Sequence, residues 1–140
     1  MYAIMGLEPL LLLANDTSGQ SYALGLRLSQ LLYCYGFKDT NIRANILEAY
    51  KFRNTVVHGR TYPSGCEKRI EELLPQILNY LRITINFMLL NSFKKHVDIQ
   101  KLIELIDEAI MNEHCKEELQ KIVDLDFKKY ESSFTFKTNS

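Results

Sequence analysis

The chain has 140 residues, and its 17 basic and 17 acidic side chains cancel to a formal net charge of zero. This length suits one domain with a single core, and the balanced charge argues against a broad, non-specific nucleic-acid surface, so any polyanion site must be local. The cysteines at positions 34, 66 and 115 are odd in number and widely spaced, which indicates free thiols in a reducing compartment rather than a disulfide framework or a zinc site. We expect a cytoplasmic protein with no metal, no other cofactor and no membrane span.

The predicted elements are helical from the first residues onwards. The N-terminal apolar run lacks a basic leader and is interrupted by Glu8 and Pro9, so we interpret it as a short core helix, broken at the proline, and not as a signal sequence. A second helix follows the capping residues of the loop at 15–19, with apolar residues three and four positions apart. It is predicted to end at Tyr35, because Gly36 comes next.

The third predicted helix carries the residues of greatest interest. Asp39 or Thr40 can cap its start, and the helical pattern continues to about His58. Gly59 follows, and glycine is suited to the left-handed conformation that commonly ends a helix. We therefore predict a helix of four to five turns between these limits.

The second half of the chain has the longest apolar stripe, from Ile70 to Leu89. Pro75 lies inside this stripe, and the pattern leaves open whether one helix kinks there or a short helix gives way to a second one. Asp98 can cap a further helix, and Glu117–Val123 adds about two turns. From 126 to 140 we predict a flexible or weakly structured tail.

The pattern as a whole predicts an all-α protein. Four core helices plus one or two C-terminal helices, with short connections, would form an up-and-down bundle around one core in residues 1–125. No segment gives a confident strand signal.

Arg53 lies where the third helix should be apolar. At about 100° per residue it falls near the middle of a sector formed by Ile42, Ile46, Ala49, Val56 and Val57. A buried guanidinium without a partner costs several kcal/mol, so Arg53 must meet a carboxylate such as Glu48, Glu71 or Glu72, reach an opening, or face a cleft that holds anions. Asn54 and His58 are four residues apart and share one side of the helix, whereas His58 lies about 140° from Arg53 around the axis.

The stretch YKFRNTVVHGR, residues 50–60, resembles the arginine–histidine motif of the HEPN domains. In this all-helical superfamily, arginine is followed after a few variable residues by histidine, near the end of the third core helix. Arg53 and His58 fit the motif with four residues between them, and Asn54 supplies the polar residue that often follows the arginine. The full string looks most like the Apea-like branch, and the resemblance covers residues 2–112.

The resemblance implies a HEPN-like bundle that forms a homodimer, with both arginine–histidine sets in one cleft. Many members are metal-independent endoribonucleases, so it implies RNA cleavage by attack of the 2′-hydroxyl on the adjacent phosphorus. Arg53, His58 and Asn54 are then the catalytic candidates. His58 would transfer a proton, Arg53 would stabilise the developing phosphorane charge, and Asn54 would orient the phosphate or the imidazole.

Four further residues near the motif are candidates for substrate binding: Lys51, Tyr50, Arg60 and Arg43. The implied partners are RNA, a second copy of the chain, and an antitoxin or associated effector protein, as expected for a toxin or defence effector. Inactive members of the superfamily also occur. The alternative is therefore a non-catalytic dimerisation module, or a nucleotide- or RNA-binding module, within a larger system.

Overall fold

The structure is a computed structural model that describes residues 2–38 and 41–130. In chain order the helices are α1 (Ala3–Leu11), α2 (Gln20–Cys34), α3 (Ile42–Val57), α4 (Glu67–Met88), a π-helical segment (Leu89–Lys94), α5 (Ile99–Met111) and α6 (Glu113–Tyr130). The described part of the chain contains no strand, which confirms the prediction of an all-α helical bundle.

Helix α2 lies at the centre of the bundle and packs against all five other α-helices. Its core side consists of Leu24, Leu28, Leu31 and Leu32, which are fully buried. Residues at these spacings lie on one side of a helix, and burying each leucine contributes about 1.5–3 kcal/mol. Helix α3 packs mainly on α2, α1 on α4, and α5 on α6. One side of α3 therefore remains at the surface.

Local signals placed several helix ends correctly. Helix α2 stops at Cys34, and Gly36 adopts a positive φ of 89°, as expected for the residue that ends a helix. At the start of α5, Asp98 Oδ1 accepts a hydrogen bond from the Gln100 backbone N–H at 3.1 Å, which confirms the predicted cap. The predicted caps of the third helix, at 39 and 40, lie outside the described residues.

Neither Pro9 nor Pro75 interrupts the helix in which it lies. The expectation that Pro9 breaks the first helix is wrong, because α1 continues to Leu11 and is held in the core by the fully buried Ile4 and Leu7. The burial of these side chains offsets the loss of the backbone hydrogen bond that proline cannot donate. Pro75 is exposed within α4, which runs through it as one helix.

The C-terminal helix is longer than predicted. Helix α6 extends to Tyr130, so the predicted domain limit at 125 falls inside a helix. Residues 126–130 of the predicted tail are helical, and its residues 131–140 lie outside the described residues. The apolar pattern fades because a buried charged residue, rather than apolar side chains, holds the last turns of α6 against the bundle. Asp126 is 1% exposed and accepts hydrogen bonds from Asn91 Nδ2 at 2.7 Å and Lys95 Nζ at 2.9 Å.

The segment Glu67–Lys94 is long and apolar enough to cross a membrane, judged by length and composition alone. In the bundle, 44% of its most apolar window is buried, and the core helix of a soluble protein meets the same criterion. The expected absence of a membrane span stays a prediction.

Candidate functional site

The end of α3 presents His58 to solvent in a regular helical position. The His58 backbone N–H donates to the Asn54 carbonyl oxygen at 3.0 Å, as in the body of a helix. Gly59 then adopts a φ of 66°, and the Arg60 N–H donates back to the Thr55 carbonyl oxygen at 2.9 Å. This pairing closes the helix immediately after His58 and confirms the role predicted for Gly59.

Arg53 meets a carboxylate, and that carboxylate is Glu8 of α1. Arg53 Nε lies 3.2 Å from Glu8 Oε1, and Nη2 donates to Oε2 at 3.5 Å. Both side chains are about one-fifth exposed. On its other side, Nη1 donates to Asn54 Oδ1 at 3.2 Å, and the guanidinium carbon lies 5.9 Å from the centre of the Tyr50 ring. Arg53 therefore lies at the edge of the core and not within it.

The Glu8–Arg53 contact is incompletely hydrogen bonded. Glu8 Oε1, Arg53 Nε and the Tyr50 hydroxyl are all buried without a hydrogen-bond partner among the described residues. The first two atoms are at ion-pair distance, but the N–H does not point at the oxygen. A buried polar group left without a hydrogen bond costs about 1–3 kcal/mol, so this cluster is poorly explained as a device for stability alone.

Tyr50 contributes a neutral hydroxyl to this cluster. Burial raises the pKa of Tyr50, the Glu8 carboxylate raises that pKa further, and the Arg53 guanidinium acts in the opposite direction. The hydroxyl consequently stays protonated at neutral pH. It adds polarity beside Glu8 and Arg53 without adding charge.

The contacts of the Arg53 guanidinium leave two of its N–H donors unused. A guanidinium has five N–H donors on Nε, Nη1 and Nη2. The Nε–Nη2 edge faces the Glu8 carboxylate, and one donor of Nη1 reaches Asn54. Two donors, one on Nη1 and one on Nη2, have no hydrogen-bond partner among the described residues, and guanidinium donors of this kind bind phosphate oxygens.

Within one chain, Arg53 and His58 leave α3 on different sides. Because α3 stays regular as far as His58, the two residues lie about 140° apart around the axis. The contacts of Arg53 go to Glu8, Asn54 and Tyr50, and the His58 side chain forms no hydrogen bond or ion pair within residues 2–38 and 41–130. Asn54 connects the two, since it is bonded to Arg53 and lies one turn before His58.

The four predicted substrate-binding residues divide into two groups. Lys51, Arg60 and Arg43 are exposed. Tyr50 is only 7% exposed and lies behind Arg53, where it contacts the guanidinium instead of solvent. Arg43 is at the opposite end of α3 from His58, and its guanidinium carbon lies 5.5 Å from the centre of the Tyr22 ring.

Two residues that contact predicted site residues, Glu8 and Tyr22, were not predicted from the sequence. In the sequence, Glu8 stands out only as an interruption of an apolar run. A lone carboxylate in one apolar helix is nevertheless a suitable ion-pair partner for a lone arginine in another helix. Glu48, the predicted partner that is nearest to Arg53 in sequence, pairs instead with Arg69 at 2.7 Å. Tyr22 gave no distinct signal, because tyrosines at helical spacing are usually core residues.

Other groups in the described residues form simpler environments. All three cysteines are free, and burial raises the pKa of Cys34 to about 11, with the charge of Asp124 as a second cause. In residues 2–38 and 41–130, no three His, Cys, Asp or Glu side chains cluster in an arrangement that would hold a metal ion.

No protein-family model, curated protein or solved structure matches this chain.

Proposed function

We propose that the protein is a metal-independent endoribonuclease of HEPN type that acts as a homodimer. The observation that supports the proposal is the way Arg53 is held. Glu8 holds the guanidinium through Nε and Nη2, and one Nη1 donor reaches Asn54, one turn from the exposed His58, which leaves two donors unused. A fixed cation with donors to spare, on the same end of α3 as an accessible imidazole, suits the cleavage of a phosphodiester.

The reaction needs two kinds of help that these residues can give. The 2′-hydroxyl oxygen forms a bond to the adjacent phosphorus as its proton is removed, and the bond from phosphorus to the 5′-oxygen breaks as that oxygen gains a proton. The products are a 2′,3′-cyclic phosphate and a 5′-hydroxyl. Arg53 would stabilise the extra negative charge on the phosphorus oxygens, and His58 would carry the proton.

A dimer explains how one kind of histidine can serve both proton transfers. The attacking and leaving oxygens lie roughly in line on opposite sides of phosphorus, so the acceptor and the donor must also lie on opposite sides. One chain offers a single imidazole at this end of α3, because His96 and His114 belong to other parts of the fold. Two α3 helices related by a two-fold axis would supply two His58 side chains, one as base and one as acid.

The surface at the end of α3 is compatible with such a contact. Val57 is 51% exposed, directly beside His58. Exposed aliphatic residues next to a functional residue favour contact with another apolar surface. We place the dimer contact near Val57, which leaves the first half of α3 open.

A cleavage assay in EDTA tests the proposal. Purified wild-type protein should convert mixed RNA to products with 2′,3′-cyclic phosphate ends, and His58→Ala and Arg53→Ala should each lower the rate by at least about 100-fold. His114→Ala is the matched control, because His114 is an exposed histidine on α6. Equal cleavage by all four proteins, or cleavage by none at high concentration, would contradict the proposal.

The ion pair between Arg53 and Glu8 favours one alternative, a non-catalytic module in which this pair fixes α1 against α3. In that case Arg53→Ala should weaken folding or dimerisation, and His58→Ala should change neither. Sedimentation measurements on both variants separate the two functions. A wild-type protein that stays monomeric at high concentration would count against both.

A further inference from the structure

The exposed side of α3 is a continuous stripe that ends at His58. Arg43, Leu47, Lys51, Asn54 and His58 follow one another at steps of four, four, three and four residues, and all are exposed. Residues at these spacings lie on one side of a helix. The stripe covers 16 residues, and its 15 steps of 1.5 Å span about 22 Å.

Positive charge accumulates on this stripe although the whole chain is neutral. Between positions 41 and 60 the chain carries four basic residues, one of which, Arg53, pairs with Glu8. The one acidic residue is Glu48, whose carboxylate is occupied by Arg69. Arg43, Lys51 and Arg60 form no ion pair within the described residues. Arg43 and Lys51 on the stripe, with Arg60 just beyond its end, are therefore cations without an ion-pair partner, and they attract a polyanion.

An exposed aromatic ring marks the end of the stripe opposite His58. Tyr22 of α2 is 60% exposed, and one side of its ring is covered by the Arg43 guanidinium at 5.5 Å. The two helices are close here: a Cβ built at Gly25 of α2 would lie 3.7 Å from the Arg43 Cα, in ordinary van der Waals contact. The ring is thus held at a defined place with much of its surface open to solvent.

We propose that Tyr22, fixed by Arg43, is a base-stacking platform for a single RNA strand that lies along α3 and leads to His58. Aromatic rings bind unpaired bases by stacking, and cations along the same groove bind the phosphates. A base inside a duplex has no free face, so the platform selects single strands. The inference rests on the proposed ribonuclease function for its substrate, and it adds a binding site remote from the reacting atoms.

The length of the stripe sets the length of strand that can use both ends. Stacked nucleotides rise about 3.4 Å each, so a strand reaching from Tyr22 to His58 needs about six stacked nucleotides, and fewer if it is extended. A dinucleotide at the His58 end cannot reach Tyr22. The contribution of Tyr22 to affinity must therefore depend on strand length.

Binding of 2′-O-methyl RNA, which lacks the attacking hydroxyl, tests the platform without cleavage. Tyr22→Ala should weaken binding of a strand longer than the stripe by about tenfold, as expected for the loss of one stacked base, whereas Tyr22→Phe should bind like wild type. Tyr33→Ala is the matched control, because Tyr33 lies on the same helix, is 67% exposed and borders the pocket between α2 and α6. Fluorescence anisotropy measures the affinities of the wild type and of the three variants.

The same assay gives three results that would overturn the platform. They are unchanged affinity in Tyr22→Ala, an equal loss in Tyr33→Ala, and duplex RNA bound as tightly as the single strand. Strand length gives a further check, since Tyr22→Ala and wild type should bind a dinucleotide equally. Failure of the ribonuclease proposal is seen separately: His58→Ala would then cleave like wild type, whatever the binding of the uncleavable strand.

Discussion

Two partly buried arginines of this protein are satisfied in very different ways. Arg27 of α2 is 5% exposed and donates to both oxygens of Asp107, at 2.7 and 2.9 Å, to Asp16 at 2.6 Å, and to the Leu11 carbonyl oxygen at 2.8 Å. Arg53 is more exposed and has only two longer hydrogen bonds, at 3.2 and 3.5 Å, and its Nε makes no hydrogen bond among the described residues.

The comparison separates a structural cation from one with capacity for a ligand. The bonds of Arg27 tie α2 to α5 and to the chain around the end of α1, which leaves little for an added anion. Arg53 has one carboxylate that orients it and two N–H donors that are not used by the described residues. If this difference is functional, removing Arg27 should affect folding and removing Arg53 should affect RNA cleavage.

The largest effect on stability is expected for Arg27→Met. The substitution leaves the carboxylates of Asp16 and Asp107 without their common partner, and breaking a buried pair in this way costs on the order of 3 kcal/mol. Arg53→Met should cost about 1 kcal/mol or less, because the Arg53 pair is partly exposed and incompletely bonded. Urea unfolding of both variants measures the difference. Equal losses of unfolding free energy would remove the distinction between the two arginines.

Arg53→Lys should separate charge from geometry at the proposed site. Lysine keeps the positive charge but cannot offer two parallel N–H groups, so we expect kcat to fall by about tenfold or more with little change in unfolding free energy. Arg69→Lys is the control, since Arg69 makes a similar two-pronged contact with Glu48 away from His58. A drop in kcat of the same size in both variants would mean that the effect is general.

Glu8→Gln should have a smaller effect, and mainly on kcat. The amide keeps the size of the side chain but loses the charge that holds the guanidinium, so kcat should fall several-fold while RNA affinity stays equal or improves. Glu8→Asp, which keeps the charge, should lie between Gln and wild type. Unchanged kcat in Glu8→Gln would show that Arg53 does not need this carboxylate for its orientation.

Much of the fold and part of the site could be predicted from the sequence. Helix periodicity and local signals such as Gly36, Gly59 and Asp98 gave most helices and several ends, because these features depend on neighbours in sequence. Arg53 was recognisable as a charge in an apolar sector. Its partner was not, since Glu8 is 45 residues away and only the packing of α1 on α3 brings the two together.

The end of α6 shows the same limit. A buried polar network around Asp126 holds the last turns, so counting apolar residues predicted a tail where the helix continues. The exposed position of Tyr22 could not be predicted from the sequence either. Its helix is amphipathic, and whether a given tyrosine faces the core or the solvent is settled by packing.

The smallest expected effect concerns pH. The hydrogen bond from Arg27 holds the pKa of Asp16 below its usual value of 3.8, against an opposing effect of burial. A lowered pKa means that this carboxylate stabilises the fold above pH 3.8, and the stabilisation is lost as the pH falls through the lower folded-state pKa. Asp16→Asn should therefore flatten the acid limb of stability, measured by urea unfolding between about pH 2 and 5. An unchanged limb would show that Asp16 is not coupled to folding.

The central claim, that the reaction uses one His58 from each of two chains, is tested most directly with a heterodimer of wild type and His58→Ala. Two affinity tags, one on each chain, allow this species to be isolated. If one imidazole is the base and the other the acid, the heterodimer should cleave RNA at least about 100-fold more slowly than the wild-type homodimer. A heterodimer with wild type and His114→Ala should keep full activity. Half of the wild-type activity in the His58 heterodimer would contradict the shared site and indicate two independent ones.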